Sequence, residues 1–211
     1  MNDRKPRVKT FDTVTEVMLY TVDSYIDFVE EHYSTKTSHH IRESKRIAMI
    51  DPSTDPFTEF DESGLEMDVT ICNEAYLLAS HFAVIALYRV VETRSKLIAR
   101  CYYGIHDMDK KLLGSMKSLP GAINKHLGVD VKTLSHFFDI DELRLVCNAV
   151  KHEDSRVTDE LAKKYPAWEA GKRIGNLFPF YYQARILVAP FLTSFASALD
   201  VASPLDTTGN D

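Results

Sequence analysis

The stretch Asp139-Ile-Asp-Glu-Leu-Arg-Leu-Val-Cys-Asn-Ala-Val-Lys-His152 reads as a helix with two chemically different faces. Leu143, Val146, Cys147 and Val150 recur at i, i+3, i+4 and i+7, which predicts a face turned to a core. Arg144, Asn148 and His152 recur at i, i+4 and i+8, forming a polar stripe more than about 90° away at 3.6 residues per turn. Leu145 and Ala149 flank that stripe on its far side, so the polar face is predicted to have apolar margins, as a groove or a subunit contact does. Asp139 and Glu142 have the spacing of a capping box, which predicts the helix start at Asp139.

Working outward, the same periodicity recurs along the chain. Val14, Val17, Met18, Val22, Tyr25 and Val29 predict a first helix over residues 13–32, with Asp12 as its N-cap. Residues 65–103 contain no Pro or Gly and are apolar nearly all round, as a central helix is. Residues 110–127 predict a further helix, bent at Pro120-Gly121. Residues 158–165 predict a short one stopped by Pro166, and residues 179–201 a strongly apolar last helix kinked at Pro190. Between the first two helices the apolar pattern stops over residues 34–64: the mixed-charge run from His39 to Arg46 admits a short helix to Ile50, and the remainder reads as a long acidic loop punctuated by Pro52, Pro56 and Gly64. No segment alternates as a strand would. The expected architecture is all-α: a single domain over residues 1–211, built as an up-and-down helical bundle of four to five main helices. A polar arm (1–10) and a loose polar tail (203–211) complete it.

Composition narrows the function. The 211 residues are 45% hydrophobic and 27% charged, ordinary for a globular protein, and only 8 Gly and 8 Pro argue against a turn-rich β fold. A net charge of −6 gives no broad basic footprint, so nucleic acid would need a local patch. Cys72, Cys101 and Cys147 are odd in number and widely spaced, which argues against a disulfide framework or zinc site. The polar N-terminus does not read as a signal peptide, and Asn73, Glu74, His81 and Arg89 interrupt the apolar run of residues 69–91. A buried helix in a cytoplasmic protein, with no membrane span, is therefore expected. Common phosphate-, dinucleotide-, serine-hydrolase and zinc-protease signatures are missing, and no His has a Glu three residues before it as a di-iron bundle requires. His39-His40 reads as a solvated pair. Neither a metal nor a cofactor is expected.

The run from Glu142 to Ser155 resembles the signature helix of the HEPN superfamily (higher eukaryotes and prokaryotes nucleotide-binding domain), whose usual core is R-N-x-x-x-H. That family is an all-helical bundle of about this size. Many members are metal-independent ribonucleases of toxin–antitoxin and antiviral systems, and others are non-catalytic binding modules. The resemblance implies that His152 is the catalytic histidine and Asn148 the polar residue beside it. It also implies a homodimer through the motif helix, with RNA as substrate or an antitoxin or other protein as partner. The family's arginine falls on Cys147, which is the departure.

The chemistry explains why that departure matters. An imidazole can exchange a proton with a 2′-hydroxyl or a leaving oxygen near neutral pH, but a cation must steady the phosphate as charge builds. Arg144 is the candidate replacement, about 12 Å from His152 by helix rise, and Lys151 is a second cation for substrate. Against catalysis stands a plainer account in which His152 meets the last carbonyls of the helix, Asn148 bonds across helices and Arg144 pairs with an acidic neighbour. Glu74, His81 and Tyr88 form one further polar stripe, either lining the cleft of His152 or satisfied internally.

Overall fold

The computed structural model describes the backbone of residues 5–50, 58–103 and 118–202, and the side chains of 13–50, 61–101 and 118–202. The expected tail at 203–211, the first four residues, residues 51–57 of the expected loop and residues 110–117 of the third expected helix lie outside these. Six α-helices are described: α1 (Lys5–Ile47), α2 (Thr58–Tyr103), α3 (Leu119–Leu127), α4 (Phe137–His152), α5 (Asp159–Lys164) and α6 (Phe178–Ala202), with a short 3-10 turn at Val131–Thr133. Among the described residues there is no strand, only an isolated bridge between Arg156 and Arg173. The all-α reading is therefore correct.

The first two helices are longer than expected. Residues 34–47 continue α1 and residues 58–64 begin α2, so the expected 34–64 loop is helical at both ends, and from Lys5 onward the expected arm is helix. Residues 34–47 carry few apolar side chains, which is why the pattern stops there. They contain neither Pro nor Gly, and α2 supplies what periodicity did not show. Tyr33 stacks on Tyr76 with ring centroids 4.0 Å apart and donates to Asn73 Oδ1 at 2.9 Å, while His40 and Ile47 are buried. His39-His40 is thus not a solvated pair, because only His39 faces water.

Four long helices enclose one core, each running opposite to the one before it. Thr15 meets Arg94 and Tyr33 meets Asn73, so α1 and α2 are antiparallel. Ser155, just past α4, meets His81, while Arg144 in α4 lies near Tyr88, which makes α4 antiparallel to α2. Asp23 takes Tyr181 and Arg185, and Glu30 takes Tyr182, which makes α6 antiparallel to α1. The core holds Leu19, Ile26, Leu87, Leu143, Phe191 and Phe195. Arg94 is 3% exposed and donates through Nε to Thr15 Oγ1 at 3.0 Å. Pro190 lies inside α6, which is one uninterrupted helix.

The apolar run in α2 is buried on one side only. Ala83, Val84, Leu87, Val90 and Val91 are in the core, whereas Ile71, Leu78 and Phe82 are exposed. By length and composition alone, Asp61–Cys101 and Phe178–Ala202 are apolar enough to cross a membrane, and both contribute to the core.

Candidate functional site

The motif helix α4 starts three residues earlier than its capping-box spacing suggests. His136, in left-handed backbone at φ 63°, is the N-cap residue, and Phe137 is the first helical one. Asp139 and Glu142 are spent elsewhere: Asp139 Oδ2 lies 3.3 Å from His136 Nδ1, and Glu142 Oε1 accepts from Trp168 Nε1 at 2.6 Å. The other end is also conformationally marked. Asp154 and Ser155 both have positive φ, at 50° and 55°, backbone that costs a side-chain-bearing residue about 1–2 kcal/mol.

A clasp holds that turn in place. Ile174 N donates to Ser155 O at 2.7 Å and Val157 N to Lys172 O at 2.9 Å. Buried His81 fastens the clasp to α2, with Nε2 3.1 Å from Gly175 O and Nδ1 3.3 Å from Ser155 Oγ. A carbonyl can only accept, so Nε2 carries a proton, and a neutral ring then accepts from the serine hydroxyl at Nδ1. His81 is therefore satisfied structurally rather than poised over a substrate. Its stripe-mates diverge: Glu74 is exposed, 3.9 Å from Arg173, and Tyr88 faces a different cleft.

The core face of α4 is wider than its spacing shows. Leu143, Val146 and Cys147 are fully buried, and Leu145 and Ala149 are buried with them, at 3% and 0% exposure. The expected apolar margins are interior packing, because α4 lies against both α2 and α6. Position 147 is thus inside the molecule. Burial pushes the Cys147 thiol up from its ordinary range, and Lys151, one turn on, only partly opposes this.

His152 and Lys151 are exposed, and Asn148 is half-buried. None of these three side chains makes a hydrogen bond to another described side chain or backbone group beyond the Lys151–Cys147 contact. Arg144 is engaged. Its Nε donates to Asp141 Oδ1 at 3.1 Å, with Nη2 3.0 Å from the same oxygen and 3.5 Å from Glu160. Lys164 and Tyr165 also donate to Asp141, through its other oxygen. Burial alone would raise the Asp141 carboxyl, but Lys164 and Arg144 outweigh it and hold the group below the usual carboxylate range. Arg144 points to this cluster rather than along the helix to His152.

That cluster borders a cleft of about 600 Å³, lined by Arg144, Lys164 and Lys132 together with Tyr88 and the rings of Phe191 and Phe195, and His152 is not among its lining residues. Sequence spacing could have suggested the Asp141–Arg144 pair, since i, i+3 partners share a helix face. Nothing in the sequence ties Lys164, Tyr165 or Lys132 to that pair, because they come from separate segments. Among the described residues no group of three or more His, Cys, Asp or Glu is placed to hold a metal ion. No protein-family model, curated protein or solved structure matches the chain.

Proposed function

We propose that this chain is a HEPN-like helical bundle, related to the RNA-cleaving toxin and antiviral proteins, that acts as a binding and dimerisation module rather than as a ribonuclease. The burial of Cys147 carries the reading. The residue standing where the phosphate-binding arginine belongs is 0% exposed, so no substitution of charge at that position reaches solvent, and Arg144 is already held by Asp141. With Arg144 turned to Asp141, Lys151 is the remaining candidate cation beside His152, and one flexible ammonium is a weaker clamp for a pentavalent phosphate than a guanidinium fork.

The exposed end of the motif helix suits a second copy. Lys151 and His152 are followed by exposed Glu153 and Asp154. A two-fold axis across this end sets the basic pair of one copy against the acidic pair of the other, since such an interface pairs a patch with itself. Sedimentation of the purified chain tests this. Wild type is expected to be a dimer, Lys151→Glu a monomer, and the charge-swapped Lys151→Glu/Glu153→Lys a dimer again. Total RNA incubated with wild type or His152→Ala should remain whole in both cases. RNA cleavage by wild type that is lost in His152→Ala would overturn the non-catalytic reading, and a monomeric wild type would overturn the dimer.

A further inference from the structure

We propose that the cleft beside α4 is a binding site for a small molecule with a flat apolar body and a single carboxylate or phosphate. Three independent features support this. The first is shape and floor: the cavity is about 600 Å³, and its inner wall includes Phe137, Phe191 and Phe195, the last two stacked 6.0 Å apart. That is within the range of volumes, and of the character, of sites that enclose small ligands.

The second is charge. The lining carries Arg144, Lys132 and Lys164 against Asp130 and Asp141, three cations to two carboxylates. Asp141 uses one oxygen on Arg144 and the other on Lys164 and Tyr165, while Asp130 accepts from the backbone N–H of Lys132. Nη1 of Arg144 and the ammonium of Lys132 have no partner among the described residues. Glu160, 3.5 Å from Arg144 Nη2, balances the third cation, so it is the free donors of Arg144 and Lys132 at the rim of an aromatic cavity, rather than a surplus of charge, that suit a single anionic head.

The third is Tyr88. The residue is 7% exposed and lines the cleft, and its hydroxyl makes no hydrogen bond to any described residue. Burial pushes the phenol well above its ordinary range, so it stays a neutral donor. The hydroxyl opens into the cleft rather than being sealed in the core, since among the described residues Ser95 Oγ is the buried side-chain polar atom without a partner, and a ligand oxygen held by Arg144 would accept from it. The hydroxyl is within the electrostatic reach of both Arg144 and Asp141. The inference is independent of whether the motif helix cleaves RNA, because His152 does not line the cleft.

Calorimetric titration of the full chain with 1-naphthoate, 1-naphthyl phosphate and the uncharged 1-naphthalenemethanol provides the test. At least one anion is expected to bind saturably, with the alcohol at least tenfold weaker, and the better anion identifies the head as carboxylate or phosphate. Tyr88→Phe should weaken that anion about fivefold, the equivalent of one net hydrogen bond, and the exposed-site variant Lys132→Ala should weaken it several-fold without loss of helical circular dichroism. His152→Ala should bind as wild type. Equal binding of the alcohol, no saturable binding of either anion, or unchanged affinity in both Tyr88→Phe and Lys132→Ala would overturn the assignment. Loss of binding in His152→Ala would instead move the site to the motif helix and overturn it too.

Discussion

Asp141 gathers more charge than any other carboxylate near the motif, taking Arg144 on one oxygen and Lys164 with Tyr165 on the other. Its side chain is only 10% exposed, so these contacts are shielded from solvent and salt in a way that surface pairs are not. The sign of its pH effect follows. Burial raises the carboxyl, Lys164 and Arg144 lower it further, and the net value in the folded chain is depressed. Its stabilising contribution is therefore present above the unfolded value of about 3.9 and is lost as pH falls through the folded one. Asp141→Asn is expected to cost about 1.5–3 kcal/mol at pH 7, the range for hydrogen bonds to charged groups. Urea unfolding of both proteins should show that difference shrinking as the pH is taken below about 3. An undiminished difference in acid would mean that shape rather than charge holds the cluster together.

At the scale of the element, α4 is a helix whose sequence spacing and burial agree on one side and disagree on the other. Leu143, Val146 and Cys147 are legible as core because one buried stripe imposes the i, i+3, i+4 pattern. Leu145 and Ala149 are not, since their burial needs a second neighbour, α6, on the flank of that stripe. The start of the helix was hidden for a similar reason: Glu142, one half of the apparent capping box, is taken by Trp168 from 26 residues away. At the candidate site, the spacing picked out Arg144, Asn148 and His152 correctly as polar, but not that Arg144 would be turned toward Lys164 and Tyr165. Residue spacing records only what lies on the same helix. The substitution Cys147→Arg would force a long cation into a fully buried thiol-sized space. An uncompensated buried charge typically costs about 3–5 kcal/mol, so the variant is expected to melt roughly 10 °C lower, read by circular dichroism. A variant that keeps the wild-type melting temperature would show that α4 can turn this position outward.

Across the whole molecule, packing is uneven along the α1–α2 hairpin. From Ala79 to Ala99, α2 is enclosed by three other helices, whereas residues 61–78 of α2 and residues 34–47 of α1 have mainly each other. Amide hydrogen exchange is therefore expected to be fastest at that far end and slowest near Leu87 and Val91, since local opening follows the density of buried contacts. Uniform protection along α2 would contradict this. The same long helices were only partly legible from sequence: residues 65–103 stood out because apolar side chains surround them, while residues 34–47 are polar and the burial of His40 and Ile47 shows only in the fold. The three cysteines are spread over this uneven ground, with Cys101 exposed, Cys72 half-covered and Cys147 enclosed. Sulfur becomes a nucleophile only as thiolate and only when reached. The Cys147 sulfur is thus chemically silent for as long as α4 stays seated, and its first reactivity toward an alkylating reagent would register the departure of that helix from its neighbours.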